Sequence, residues 1–492
     1  MVLDAAGVAP SIEALLPVGV RPRQLGVRTL LLGVLLTQAE HRPAHLSRIH
    51  AALVALGDAD RRRLGVVVDW KRGPHTLTYR QVERTFSLVT HALAKQHPDG
   101  TPTDVLQEAL DAFVEASVPA EAHKGASSSL AVDWTDVESF STRRTKQDGT
   151  YADKEAAWGY RKGGGPGEKD ELFFGYYLSL ATMVDDEGGP RVPELVRRMN
   201  LVGCDHDPVP QMVGVLVEMP GAGIPLGDVI CDSGYAHRVP GHFALPLRAA
   251  GASLVMDLHP HDRGTQGTHE GAILWNGNCY CPMTPVGLFD LSPLAKGTSH
   301  EEVADFDRRL GELSRYKLGR TAALDADGYE RVACPAAMGK VRCPARPASM
   351  SASLERPEIL SAPEHPPTCC AQQTITVPPS VNAKTAQKHD YMGKSWRRSF
   401  ARRTAVERSN ARIKDPATVD VARGWCRVMG LTSMSLFLAC ALVVRNLAVA
   451  DAFDARRADD ERRVAAGLAP KSRRRRRTTL ADLVTASVTS PP

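Results

Sequence analysis

Apolar runs long enough to cross a bilayer, which takes roughly 20 residues, are missing from this chain. The two nearest, residues 30–36 (LLLGVLL) and 430–444 (GLTSMSLFLACALVV), are too short, and the second, flanked by Arg427 and Arg445, reads as a buried helix. No membrane is therefore expected as a partner. The opening Met1-Val2-Leu3-Asp4 offers no basic segment ahead of an apolar core, so no secretory signal is expected. A regular disulfide framework is lacking too. Ten cysteines are scattered along the chain, which with the missing signal argues for a reducing, cytoplasmic setting. Nor is there an internal repeat, or a net charge large enough to speak by itself: 61 basic against 56 acidic residues leave +5.

What is present is a chain of 492 residues, more than one compact core usually holds, so two to four domains are expected. With 43% hydrophobic and 24% charged residues it has the balance of a globular protein, and 40 Gly and 34 Pro imply many loops. The basic residues are unevenly placed. Lys394, Arg397, Arg398, Arg402, Arg403, Arg408, Arg412 and Lys414 surround a single acid, Glu407, and a second run spans Arg473 to Arg477. Such clusters are the footprint of a polyanionic partner, although a solvated face looks the same in sequence.

Residues 29–36, 44–56 and 79–93 carry apolar side chains at helical spacing. Gly57 is placed to stop the second helix. Thr78 and Gln81 make a capping box for the third, whose inner stripe is Val82, Phe86, Val89 and Leu93, with Arg80 and Arg84 elsewhere on its surface. A helical N-terminal domain with outward arginines suits DNA binding or plain packing. Residues 121–130 read as a linker. Beyond it come strand candidates at 130–133, 171–181, 194–202 and 228–232, with a helix at 210–218 between the last two: an α/β layout. Residues 245–393 are irregular, with short strands at 253–257, 272–275 and 374–377. Helical patterns return at 395–414 and 428–448, and a polar, mobile tail is expected after them.

Three acids stand out by their setting. Asp133 ends the apolar run Ala131-Val132, Asp232 ends Val229-Ile230-Cys231, and Glu407 lies on the late basic helix. Strand ends bring two carboxylates to one sheet edge, and a helix packed across that edge supplies a third. Clustered carboxylates repel and raise one another's pKa unless cations lie among them, and hard oxygen donors suit Mg2+. Two such ions about 4 Å apart serve an in-line displacement at phosphorus. Taken singly, each acid reads as a turn, cap or surface ion-pair residue. Asp136 rivals Asp133, which is preferred because it directly ends the apolar run and precedes Thr135.

Around the glutamate the chain reads Phe400-x2-Arg403-x3-Glu407-x6-Lys414, with Asn410 between. This resembles the Tyr-x2-Arg-x3-Glu-x6-Lys signature of bacterial insertion-sequence DDE transposases, with Phe400 replacing Tyr; the lost hydroxyl leaves stacking as that position's only contact. Val132-Asp133-Trp134-Thr135 and Cys231-Asp232-Ser233-Gly234-Tyr235 are similar to the family's first two acid motifs. Trp158-Gly159-Tyr160-Arg161 and Phe174-Gly175-Tyr176 resemble its flanking strands, and Gly430, Leu431 and Arg445-Asn446-Leu447 its closing helices. The likeness covers residues 130–240 and 390–450.

The resemblance implies an RNase H-like core, a mixed sheet with flanking helices, joined to a helical N-terminal domain and carrying a long insertion between the second Asp and the Glu. The boundaries it suggests are 1–125 for the DNA-binding helices, 126–245 and 394–450 for the core, 246–393 for the insertion and 451–492 for the basic tail. It further implies Asp133, Asp232 and Glu407 as catalytic ligands of two Mg2+ ions, with Mn2+ as a substitute. DNA contacts are expected from Arg403, Lys414, Arg408, Asn410, Arg80 and Arg84. The implied partners are the element's terminal inverted repeats, target DNA and a second copy of the chain on DNA, in a bacterial cytoplasm beside the nucleoid. Two alternatives remain: a domesticated relative that binds DNA without cutting it, and a host RNase H-fold nuclease. Among Cys279, Cys281, Cys334, Cys343, Cys369 and Cys370 the spacings are too tight or too loose for a zinc site, so free thiols are expected. His206, His237, His242, His259 and His261 receive no role.

Overall fold

The computed structural model describes residues 2–18, 23, 25–66, 77–94, 104–120, 127–141, 151–161, 169–295, 297–325, 327–361, 363–415, 421 and 424–471. Residues 121–126 of the expected linker and the Arg473–Arg477 run lie outside them. The architecture is mixed α/β around a six-stranded mixed sheet. Its strands are β1 (Leu130–Glu138), β2 (Ala157–Arg161), β3 (Glu171–Met183), β4 (Val196–Gly203), β5 (Asp228–Cys231) and β6 (Ser253–Met256). β3 is antiparallel to β1 on one side; on the other it takes β2 along its first residues and β4 along its last. β5 and β6 continue the sheet beyond β1, both parallel to it.

Every residue of β4 and β5 is buried, which is why they read as continuous apolar or mixed runs without alternation. Helix Pro208–Val217 crosses from β4 toward β5, opened by Asp207, whose carboxylate accepts the Val209 N–H at 3.1 Å, and by proline at its first position. Helix Ala244–Ala249 then leads into β6, so the stretch 246–393 begins with an element of the central sheet. Two three-stranded sheets follow: β7 (Thr265–His269), β8 (Ala272–Trp275) and β9 (Asn278–Tyr280), then β10 (Gly319–Arg320), β11 (Glu330–Ala333) and β12 (Thr374–Val377).

The N-terminal helices Val27–Ala39, Leu46–Ala55 and Tyr79–Ala92 form where the spacing places them, and the stripe Val82, Phe86, Val89 and Leu93 is buried. The expected capping box is present: the Thr78 N–H donates to Gln81 Oε1 at 2.8 Å, and the Thr78 side chain accepts from the Gln81 N–H. These helices share one apolar cluster with the sheet and the long helix Leu431–Ala465, with Phe86 edge-on to Phe437 at 5.7 Å.

Four local expectations are corrected. Gly57 does not stop a helix in a left-handed turn: extended Leu56 ends it, and Gly57, at φ −70°, is the N-cap of helix Asp58–Leu64. β1 does not end at Asp133 but runs on to Glu138, because β3 pairs with it along its whole length. The basic stretch is two helices, Lys394–Phe400 and Thr404–Ile413, broken by a 3-10 turn over Ala401–Arg403. The last apolar helix is 35 residues long and extends through 451–465, where a mobile tail was expected; by length and composition it is sufficient to cross a membrane, and here 61% of its apolar window is buried inside the protein.

Candidate active site

β1 and β5 are hydrogen-bonded neighbours over only two pairs, Leu130 with Val229 and Ala131 with Ile230. Continuing that register by two residues sets Asp133 level with Asp232, each at the carboxyl end of the parallel pairing. Fully buried Ala131, Val132, Ile230 and Cys231 anchor both ends in the core. This is where an α/β sheet opens a crevice for ligands.

Asp232 is held by its own turn: it caps Ser233–Ala236, and its Oδ1 accepts the Gly234 N–H at 2.9 Å. Asp133 Oδ1 accepts the Trp134 N–H at 2.9 Å. The Trp134 indole packs on Tyr235 at 4.9 Å between ring centres, so residues beside the two acids clamp them together. Gly234 is required here, since a Cβ on it would sit 2.5 Å from the Trp134 ring.

The third acid arrives on helix Thr404–Ile413, which packs along β1 and β3. Glu407 shares a helix face with Arg403 four residues earlier. The Arg403 guanidinium pairs with Glu407 and lies 3.6 Å from Asp133 Oδ2, so it sits between the two carboxylates. Burial raises the Asp133 pKa to about 7, the Asp232 and Glu407 carboxylates push in the same direction, and Arg403 and the Trp134 N–H only partly offset them. Asp133 therefore feels both other acids, but the three do not bring their carboxylate oxygens within 4.8 Å of one another. Among the described residues, the group of donors whose ligand atoms all lie within 4.8 Å of one another is His237, His259 and Asp262, and Asp262 is already paired with Lys384 at 2.8 Å.

Of the other expected DNA contacts, Lys414 reaches β1 but lies on Asp136, 2.8 Å from its Oδ1. Asp136 also takes Arg161. Burial alone would raise its pKa, but hydrogen bonds from Arg161 and Lys414 outweigh it and hold the carboxyl below its ordinary value. That double pairing separates Asp136 from Asp133. Arg408 turns to Glu194, its Nε at 2.9 Å. Asn410 carries a buried Oδ1 with no hydrogen-bond partner. Arg80 and Arg84 are exposed on helix Tyr79–Ala92, and Phe400 stacks on Trp396 at 4.7 Å with Arg403 over its ring, so its faces are already in use.

Several groups support the site in ways the sequence did not assign, although Arg402, Arg445 and Asn446 were among its marked residues. Buried Asp228, at the start of β5, is paired by Lys388 at 2.8 Å and by Arg402 at 2.7 Å, which ties the segment carrying Arg403 to the strand carrying Asp232. Buried Arg445 donates to Ser409 Oγ at 2.7 Å, behind Glu407. Asn446 bonds both the N–H (2.9 Å) and C=O (2.7 Å) of Val196. Asp257, just past β6, is a further acid at the same sheet edge, engaged by Arg263 at 3.2 Å and by the Tyr391 hydroxyl. Its signal in the sequence is the one that marked Asp133 and Asp232: an apolar strand ending in an acid.

No family model, curated protein or solved structure matches the chain.

Proposed function

We propose that the protein is a DDE-type transposase, a nuclease with an RNase H-like core that cuts and rejoins DNA at the ends of a mobile element. What supports this reading is that Asp133 and Asp232 follow the paired residues of neighbouring parallel strands, and that Asp133 feels both Asp232 and Glu407, the latter on a packed helix within the Arg-x3-Glu-x6-Lys pattern. Three hard-oxygen donors, one of them raised in pKa by burial and by the other two acids, form a donor set suited to divalent magnesium, whose charge would favour the ionised form. Asp133, Asp232 and Glu407 would hold the ions, which would supply activation of the attacking oxygen and stabilisation of the leaving one.

The chain's own residues then have assignable tasks. The Asp232 cap and the Trp134–Tyr235 packing fix the two strand-borne carboxylates. Arg403 lies between Asp133 and Glu407; cations held by those acids would free its guanidinium for a phosphate, for which its planar fork is suited. Cleavage frees a 3′-hydroxyl, which attacks target DNA, so no covalent protein–DNA intermediate is required. Two ends joined in one event call for a dimer on DNA.

The test is Mg2+-dependent nicking of a duplex carrying the element's ends. Asp133→Ala, Asp232→Ala and Glu407→Gln should each abolish nicking and leave DNA binding largely intact. Near-normal nicking by any one of them removes that residue from the site. One observation favours a second reading, a relative that binds DNA without cutting it: Arg403 pairs with Glu407 and lies 3.6 Å from Asp133, where a cation would otherwise sit. Binding with no nicking by the unaltered chain under Mg2+ or Mn2+ would decide for it.

A further inference from the structure

The four cysteines Cys281, Cys334, Cys343 and Cys370, far apart in sequence, are brought to one end of the joined small sheets by strand register. The Cys281 N–H donates to Tyr316 O at 2.9 Å, one step past the bridge of Tyr280 with Lys317, which sets Cys281 beside the entry to β10. Gly319 of β10 pairs with Ala333 of β11, so Cys334, just past β11, lies at that same end. Ala333 pairs with Thr374 of β12, and Cys370 sits in the turn of helix Thr368–Ala371 immediately before it. Cys343 is delivered by the following loop, whose Arg346 side chain bonds the Gln372 carbonyl. All four thiols are buried and none is in a disulfide.

Two of them sit in the same local device, a Cys-Pro-x-x turn: Cys281-Pro282-Met283-Thr284 and Cys343-Pro344-Ala345-Arg346 close with Thr284 N–H to Cys281 O (3.0 Å) and Arg346 N–H to Cys343 O (2.9 Å). The turns aim backbone donors at sulfur: Met283 N–H at Cys281, and the Ala345 and Arg346 N–H groups at Cys343. Cys334 opens a third Cys-Pro sequence, with Met338 N–H on its carbonyl at 3.1 Å. Burial raises both thiols, and these N–H groups offset it only in part. The sulfurs act on one another: Cys281 feels Cys334, Cys343 and Cys370, and Cys343 feels Cys334 and Cys370.

We propose that Cys281, Cys334, Cys343 and Cys370 are the ligands of a structural Zn2+ ion that staples residues 265–377 together. The need for a staple is physical. Cys281, Cys334 and Cys343 belong to the main apolar cluster, whereas Cys370 belongs to a small second one with Leu274, Leu318, Val332 and Ile375, so an ion shared by the four would tie the small cluster to the large one. Four soft thiolates select tetrahedral zinc, each sulfur about 2.3 Å from the ion. The thiols here are more widely set than the 4.8 Å histidine–aspartate group, so binding draws them inward and releases their protons to solvent. Cys369 is the fifth thiol of the group: it bonds Cys370 and feels Cys281 and Cys334, but its sulfur lies 3.6 Å from where a Cβ on Gly271 would be, against the β7–β8 turn, and it is left out of the proposed ligand set.

The proposal is independent of whether the chain cuts DNA. The full-length protein should purify with about one zinc per chain. The Cys281→Ser/Cys343→Ser double variant should lose most of it, and Cys369→Ser should keep it. Because the double variant is at risk of misfolding, the unaltered chain is also stripped with chelator and refilled with Co2+, which should give the intense sulfur-to-cobalt absorption of a four-thiolate tetrahedral site. A chain that carries no zinc and takes up no cobalt overturns the proposal. So does zinc that survives the double cysteine variant but disappears in His237→Ala/Asp262→Asn, which would place the metal at the histidine group.

Discussion

Asp133 is the residue on which the site's electrostatics turn. Its side chain is only 18% exposed, and its pKa of about 7 lies well above the ordinary value near 4. The folded, metal-free chain therefore keeps a proton that the unfolded chain loses between about pH 4 and pH 7. Stability is greatest below that window and falls as pH rises through it, by at most roughly 1.4 kcal/mol per pH unit. Urea midpoints measured with chelator present should show this decline, and Asp133→Asn should flatten it; an unchanged slope would mean that the burial of Asp133 is relieved in solution. Gly234 gives a second expectation at this scale. Gly234→Ala forces a methyl against the Trp134 ring and toward Asp232 Oδ1, 3.1 Å away, and overpacking of this kind costs about 1–3 kcal/mol. Nicking should fall with the fold retained, and trimming the ring by Trp134→Phe should restore part of it.

Among the elements, the basic segment and the long last helix do the positioning. The site helix is carried by pairs its sequence does not announce: Arg402 to Asp228, Arg445 to Ser409, Asn446 to β4. Asn446→Ala would leave both backbone groups of Val196 unpaired inside the core, a loss of about 2–4 kcal/mol that a denaturant midpoint would register. The helices and strands themselves were largely legible, because their apolar periodicity is local, and Asp133 and Asp232 were legible because an apolar run ends on each. Asp257 fits the same pattern and was missed, since it sits in no motif. The cysteine cluster was invisible for a different reason: its spacing is set by strand register, which one-dimensional spacing rules do not contain. The length of the last helix was also underestimated, because its second half is polar and buries little, and helical propensity alone carries it to Ala465.

At the scale of the molecule, the placement of unpaired positive charge would govern the DNA binding proposed above. Lys414 and Arg408 are neutralised by Asp136 and Glu194, whereas Arg80 and Arg84 stand exposed on the N-terminal helix. If DNA crosses that surface, the Arg80→Ala/Arg84→Ala variant should lower the slope of log affinity against log salt by about 2, since each phosphate contact contributes about 0.9. Lys414→Ala should change it less. Equal slopes for the unaltered and doubly substituted chains would take the N-terminal arginines out of the contact surface.

The shortest joint in the sheet has a mechanical meaning of its own. The antiparallel half, β1 to β4, and the parallel half, β5 and β6, are stitched by two residue pairs between β1 and β5. Asp133 belongs to one half and Asp232 to the other. A load that pries at this seam would alter the gap between the two aspartates, so the fit of the proposed site to its ions would be set by the shortest pairing in the six-stranded sheet.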